Sequence, residues 1–161
     1  MFEEHIKNIV SAAALRHTEK DLKSNHEKFV ITLLGRFQLL ELILKKYIDA
    51  CVSFKGGDSA HLDGLEELPL GALIKRLRKV TQNNELADRI HALLEIRNKI
   101  AHNSLIVVHQ RGINKSEVMN QQFEYIHANM NLHDLLEELG TKTLELYVGR
   151  NLHKEHLQID S

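Results

Sequence analysis

Two residues near position 100 combine groups that can act on a phosphate ester. Arg97 and His102 stand five positions apart in the segment Ile-Arg-Asn-Lys-Ile-Ala-His. An imidazole exchanges a proton near neutral pH, and a guanidinium stabilises negative charge on phosphoryl oxygens through several hydrogen bonds. The pair therefore supplies proton transfer and charge stabilisation, which are the two requirements for breaking a phosphodiester by acid–base chemistry.

The element that carries this pair is a predicted amphipathic helix over residues 85–101, with Asn83 or Asn84 as its N-cap. At about 100° per residue, Arg97 falls in the middle of the apolar stripe of that helix, which is formed by Leu86, Ile90, Leu93, Leu94 and Ile100. An arginine on such a stripe needs a carboxylate, a phosphate or several acceptors. Glu41 is the natural carboxylate, because it lies among apolar residues of another long helix. Arg97 is then a functional cation or one half of a structural ion pair, and the two roles can coexist.

His102 is predicted to point about 140° away from Arg97 on a straight helix. The two side chains can share a site only if the helix ends between them or a second subunit completes the site. The alternative for His102 is an ordinary solvated histidine, favoured by the dipole at a helix C-terminus.

The remaining chain is predicted to be mainly helical. Apolar residues at helical spacing predict helices over residues 2–20, from Ser24 to about Phe54, from Pro69 to about Val80, and from an N-cap at Asn131 onward. A β-branched run at residues 105–109 and a second run at residues 123–127 predict a small β-hairpin between the last two helices.

Composition agrees with one helical domain. The chain has 161 residues, 43% of them hydrophobic, with 8 Gly and 1 Pro, which is enough for one core and argues against a sandwich or barrel. We therefore expect an all-α fold, a single-domain bundle of four to five helices over residues 1–150. A polar tail over residues 151–161 is expected to fray.

Charge and cysteine content narrow the functional classes. The net charge is -1 and aromatic residues make up only 5%, so the chain lacks the global basic charge of a non-specific DNA binder and a broad base-stacking surface. No apolar run approaches the roughly 20 residues that cross a bilayer. The single Cys51 and the lack of a signal-peptide pattern predict a cytoplasmic protein with no membrane association.

The segment around Arg97 resembles the HEPN superfamily. Ribonucleases of that superfamily carry an arginine, four to six intervening residues and a histidine, with a polar residue commonly after the arginine; Arg97, Asn98 and His102 match this pattern. Arg150, Asn151 and His156 also match, but they lie in the polar tail. The resemblance extends to the helical layout over about residues 25–148, including a long second helix with a polar residue, here Glu41, facing the motif helix.

The resemblance implies a metal-independent endoribonuclease of the toxin or defence type that needs no cofactor. It implies catalysis by Arg97 and His102 from two protomers of a homodimer, with Asn98 orienting substrate or imidazole, and RNA as the partner, with a neutralising antitoxin protein as a further partner. Ser104 stands where one antitoxin-regulated branch has a tyrosine, which argues against regulation by modification of that tyrosine.

Other residues carry weaker predictions. Lys75, Arg76 and Lys79 belong to the densest basic segment and are candidate contacts to an RNA backbone, the alternative being a solvated helix face. His91 with Glu95, and His153 with His156, lack a third ligand, so no metal site is predicted. The runner-up function is a non-catalytic HEPN-like module that binds RNA, a nucleotide or a regulatory protein. A transcriptional regulator would need a basic recognition helix, for which only residues 70–80 are a candidate.

Overall fold

The structure is a computed structural model that describes residues 19–55, 59–103 and 115–159. These residues form four α-helices, two short 3-10 helices and no strand. The α-helices are α1 (Glu19–Lys55), α2 (Leu70–Thr81), α3 (Asn84–Asn103) and α4 (Lys115–Ile159), and the 3-10 helices are Ser59–His61 and Leu65–Glu67. The all-α prediction is confirmed for this part of the chain. The predicted helix over residues 2–20 lies almost entirely outside the described residues.

Helix α1 forms where the sequence predicts the longest apolar stripe. Residues spaced three or four apart are at most 2% exposed, which is the signature of one buried helix face; they are Val30, Leu33, Phe37, Leu40, Leu44, Ile48 and Cys51. The stripe continues to His26, which is also fully buried. The helix begins at Glu19 rather than near the predicted cap at Ser24.

A short connection sets the start of the motif helix. Helix α2 ends at Thr81, and its C-cap is Gln82, whose backbone is left-handed (φ 56°) and whose N–H donates to the Arg78 carbonyl. The next residue, Asn83, accepts a hydrogen bond at its Oδ1 from the Leu86 N–H at 3.0 Å. This bond satisfies one of the amide donors that a helix start leaves unpaired, and it confirms that Asn83 is the N-cap of α3.

The predicted β-hairpin is wrong in its second strand. Residues 123–127 lie inside α4, which also passes through the predicted N-cap at Asn131 without interruption. Six buried residues of α4 repeat at intervals of three, four or seven, and this periodicity outweighs the strand propensity of a five-residue run; they are Val118, Tyr125, Ala128, Leu132, Leu135 and Leu139. The first predicted strand, residues 105–109, lies outside the described residues.

The chain separates into two compact units. Unit 1 comprises Met1–Phe37 and Glu95–Leu132, and unit 2 comprises Gln38–Leu94 and His133–Ser161. Helices α1, α3 and α4 contribute residues to both units. The single-domain boundary at residue 150 stays a prediction, although α4 continues through it to Ile159.

Each unit has its own apolar core and cross-helix contacts. In unit 1, Arg36 Nη1 donates to Asn129 Oδ1 at 2.6 Å and so joins α1 to α4. In unit 2, Arg89 Nη1 lies 2.7 Å from Glu138 Oε2 and joins α3 to α4. Hydrogen bonds from Lys142 and Arg89 hold the pKa of Glu138 below its usual range, against the opposing effect of burial.

Among the described residues, no helix is long and apolar enough to span a membrane.

Candidate functional site

The motif residues lie in the last two turns of α3, within unit 1. Leu93 and Ile100, one turn on either side of Arg97, are 2% and 1% exposed. Arg97 therefore occupies a position on the core-facing stripe, as predicted. Its side chain is half-buried rather than buried, because the long stem can lie along apolar neighbours while the guanidinium reaches towards water.

The structure brings Arg97 and Asn98 together. Arg97 Nη1 donates to Asn98 Oδ1 at 3.2 Å, so the guanidinium turns from the apolar stripe towards the polar face of α3. A guanidinium has five N–H donors. Asn98 is the one hydrogen-bond acceptor for Arg97 among the described residues of unit 1, which leaves donors for a further anionic oxygen.

His102 is exposed and lies in the last turn of α3. It follows Asn98 by four residues, so the two side chains lie about 40° apart on neighbouring turns of one helix face. The Arg97 guanidinium, bonded to Asn98, is thus closer to the His102 face than its Cα position alone predicts. Among the described residues, no side chain or carbonyl forms a hydrogen bond with the His102 imidazole.

An ion pair beside the motif was not visible in the sequence. Lys99 Nζ lies 2.5 Å from Glu124 Oε2, and it joins α3 to α4 within unit 1. The two residues are 25 positions apart, and no local spacing rule connects them. The only signal available was the position of Lys99 between Asn98 and His102 in the sequence.

A buried polar stack in unit 1 was also missed. The rings of His26 and Tyr125 are stacked with centroids 6.3 Å apart, and both residues are fully buried. Burial raises the pKa of Tyr125 from 10.0 to about 12, with a smaller effect of Glu124 in the same direction. The position of His26 four residues before Val30, on the stripe of α1, was the signal that could have revealed it.

The predicted acidic partner of Arg97 lies in the other unit. Glu41 is half-buried on α1 and belongs to unit 2, whereas Arg97 belongs to unit 1. Their ion pair stays a prediction.

Only some of the basic residues on α2 form contacts within the fold. Lys75 and Lys79, one turn apart, are exposed on one face. Arg76 donates to the Ala60 carbonyl at 3.4 Å, and Arg78 lies 2.6 Å from Asp88. Lys75 and Lys79 are therefore the residues of this segment best placed to contact a ligand, while Arg76 also has a structural contact. All four lie in unit 2.

No metal-binding geometry is found in the part of the chain that the structure describes: no three His, Cys, Asp or Glu residues there are grouped to hold an ion.

Comparison of the chain with protein-family models, curated proteins and solved structures gave no match. The all-helical fold and the side chains described above are therefore the basis for assigning a function.

Proposed function

We propose that this chain is a HEPN-like, metal-independent endoribonuclease of the toxin or defence type. The observation that carries the proposal is the arrangement on α3. Arg97 is hydrogen-bonded to Asn98, and His102 lies one turn after Asn98 on the same exposed face of the helix. Cation, amide and imidazole are thus presented to solvent on neighbouring turns. The all-helical fold also agrees with the all-α domain that the resemblance to the superfamily implies.

The chemistry is a transesterification within the RNA strand. The imidazole of His102 accepts the proton of a ribose 2′-hydroxyl, and the 2′-oxygen attacks the adjacent phosphorus. The bond from phosphorus to the 5′-oxygen breaks, and that oxygen takes a proton from water, which leaves a 2′,3′-cyclic phosphate and a 5′-hydroxyl. The His102 imidazolium then returns its proton to solvent. Arg97 stabilises the charge that develops on the non-bridging oxygens, while Asn98 orients the guanidinium or the substrate.

The proposed active form is a homodimer. Because the backbone positions of Arg97 and His102 diverge by about 140° on one helix, two motif helices related by a twofold axis can place the Arg97 of one protomer opposite the His102 of the other. Lys75, Lys79 and Arg76 are proposed to contact the RNA backbone. A neutralising antitoxin and a cytoplasmic location complete the proposal.

The test is cleavage of mixed single-stranded and structured RNA in the presence of EDTA. We expect the wild-type protein to generate 2′,3′-cyclic phosphate ends, and Arg97→Ala and His102→Ala each to lose at least about a hundredfold in rate. His91→Ala is the matched control, because His91 is an exposed histidine on the same helix; it should retain activity. Cleavage that stops on chelation, or that survives both substitutions, would contradict the proposal.

One observation favours a non-catalytic HEPN-like module instead. General bases are commonly oriented by a second group, and His102 has no hydrogen-bond partner among the described residues. Such a module would bind RNA, a nucleotide or a regulatory protein. Intact RNA after prolonged incubation, together with binding that Arg97→Ala weakens, would support this second function.

A further inference from the structure

The pair formed by Lys99 and Glu124 lies at the edge of the candidate site. Lys99 precedes His102 by three residues, which places the two side chains about 60° apart on adjacent turns of α3. Asn98, the hydrogen-bond partner of Arg97, is its neighbour in the chain. The Lys99 ammonium is therefore a second cation on the side of α3 that presents His102, about 100° round the helix from Asn98.

The ion pair is of a kind that exchanges partners easily. Its atoms are close, with Lys99 Nζ 2.5 Å from Glu124 Oε2. The side chains are nevertheless 46% and 37% exposed, and ion pairs exposed to this degree contribute little to stability because water screens and replaces them. An ammonium on a flexible four-carbon stem can turn from one oxyanion to another without a change in backbone.

We propose that Lys99 binds a phosphate group next to the cleaved bond. In the free protein Lys99 is paired with Glu124, and a bound phosphate replaces the Glu124 carboxylate as its partner. The inference rests on the proposed function for its substrate, RNA. In the free protein the pair is neutral, so the site carries the Arg97 charge alone. When RNA binds, Lys99 adds a second positive charge and Glu124 is released to solvent.

Glu124 thereby selects for ligands with more than one phosphate. A single anion at Arg97 gains nothing from Lys99 while the lysine remains bonded to Glu124. A strand with adjacent phosphates can engage both cations, and each additional phosphate contact releases counterions, which makes binding more sensitive to salt.

The experiment measures binding without cleavage. The probe is a fluorescein-labelled single-stranded oligonucleotide with 2′-O-methyl riboses, which has the phosphates of RNA but no attacking hydroxyl, titrated by fluorescence anisotropy at several salt concentrations. We expect Glu124→Gln to bind about fivefold more tightly and Lys99→Met more weakly, with the slope of log affinity against log salt falling in magnitude by about 0.7 for the lysine variant.

Two further variants separate release of Lys99 from a general change in charge. Glu95→Gln is the matched control, because Glu95 is an exposed acid on α3 one turn before Lys99; it removes the same charge without freeing the lysine, and it should produce a smaller gain. In Lys99→Met/Glu124→Gln the gain of the single glutamine variant should disappear. A gain that persists in the double variant, an equal gain in Glu95→Gln, or no binding by any variant would overturn the proposal.

Cleavage of unmodified RNA, measured separately, distinguishes this inference from the proposed function. If the protein cleaves RNA but its affinity for the probe does not depend on Glu124, the proposed nuclease function stands and the proposed role of Lys99 is rejected. If the protein never cleaves RNA, but Glu124→Gln binds the probe more tightly than the double variant does, the role of Lys99 stands and the nuclease function is rejected.

Discussion

At the scale of single residues, Arg97 is the position where the proposed function and the stability of the fold make different demands. It lies on the core-facing stripe of α3 between Leu93 and Ile100, which are buried, and an apolar side chain there would extend the core. Charged residues at such positions are tolerated mainly where they serve a site or complete an ion pair. These two roles predict opposite effects of one substitution.

We expect Arg97→Met to abolish RNA cleavage while leaving the free energy of unfolding unchanged or higher. Methionine preserves the apolar stem and removes only the guanidinium. The measurement is urea unfolding beside the cleavage assay, with Glu41→Gln studied in parallel. If both variants lose more than about 1 kcal/mol, Arg97 is one half of a structural pair, and its role in cleavage would need separate support.

The tyrosine hydroxyls allow a matched comparison of buried polar groups. Tyr147 Oη donates to Asp49 Oδ2 at 2.9 Å, whereas Tyr125 Oη is buried without a hydrogen-bond partner among the described residues. We expect Tyr147→Phe to lose about 1 to 2 kcal/mol of stability and Tyr125→Phe to lose none, because only the first removes a hydrogen bond to a charged group. Thermal and urea unfolding measure both; a loss in Tyr125→Phe like that in Tyr147→Phe would refute the difference.

The raised pKa of the Tyr125 hydroxyl determines the direction in which the stability of the fold changes with pH. Burial raises the pKa of Tyr125 from 10.0 to about 12. Between these two pH values the hydroxyl stays protonated in the folded state but ionises in the unfolded state. Its contribution to stability is complete below about pH 10 and is lost as the pH rises through the folded-state pKa. Over that range the wild-type protein should lose stability relative to Tyr125→Phe.

At the scale of elements, the start of α3 is fixed by one side chain. The Asn83 amide oxygen accepts the Leu86 N–H, and Asn84, the first helical residue, is exposed. We expect Asn83→Ala to lose about 1 kcal/mol of stability and Asn84→Ala to lose much less. Equal losses in urea unfolding would mean that the cap does not determine where α3 begins.

The first part of α4 is where sequence and structure disagree most. Asn120, exposed and in the second turn of α4, would lie in a loop if residues 123–127 formed a strand. We expect Asn120→Pro to lose about 3 kcal/mol, because proline removes a hydrogen bond and clashes inside a helix. Ser116→Pro, in the first turn, should be tolerated. Circular dichroism and unfolding of both variants test this; tolerance of Asn120→Pro would restore the hairpin.

Local periodicity explains which elements could be predicted. The stripes of α1 and α3 and the cap at Asn83 are encoded within a few turns, so the sequence predicts them. The run at residues 123–127 contains aromatic and β-branched residues, and its helical register emerges only with Val118 and Leu132. The direction of the Arg97 guanidinium and the contact between Lys99 and Glu124 depend on tertiary packing, which no spacing rule supplies.

At the scale of the whole molecule, the central question is whether one protomer or two form the site. In the single chain, the Arg97 guanidinium bonds to Asn98, while the positions of Arg97 and His102 still diverge by about 140° along α3. A twofold dimer resolves this divergence by pairing each arginine with the histidine of the other copy. The two alternatives differ in what happens when two inactive variants are mixed.

We expect Arg97→Ala and His102→Ala to complement each other. In the proposed homodimer, each site would take its arginine from one protomer and its histidine from the other. A mixed dimer would then have one site with both residues replaced and one site with both intact. Random exchange makes half of the dimers mixed, so about one quarter of the wild-type sites should be active. The measurement is cleavage after the purified variants are mixed and subunits exchange, with each variant alone as the control. If every mixture stays inactive although light scattering with a size tag proves exchange, the site lies within one protomer, and the hydrogen bond between Arg97 and Asn98 becomes the means by which a single helix brings its cation towards its imidazole.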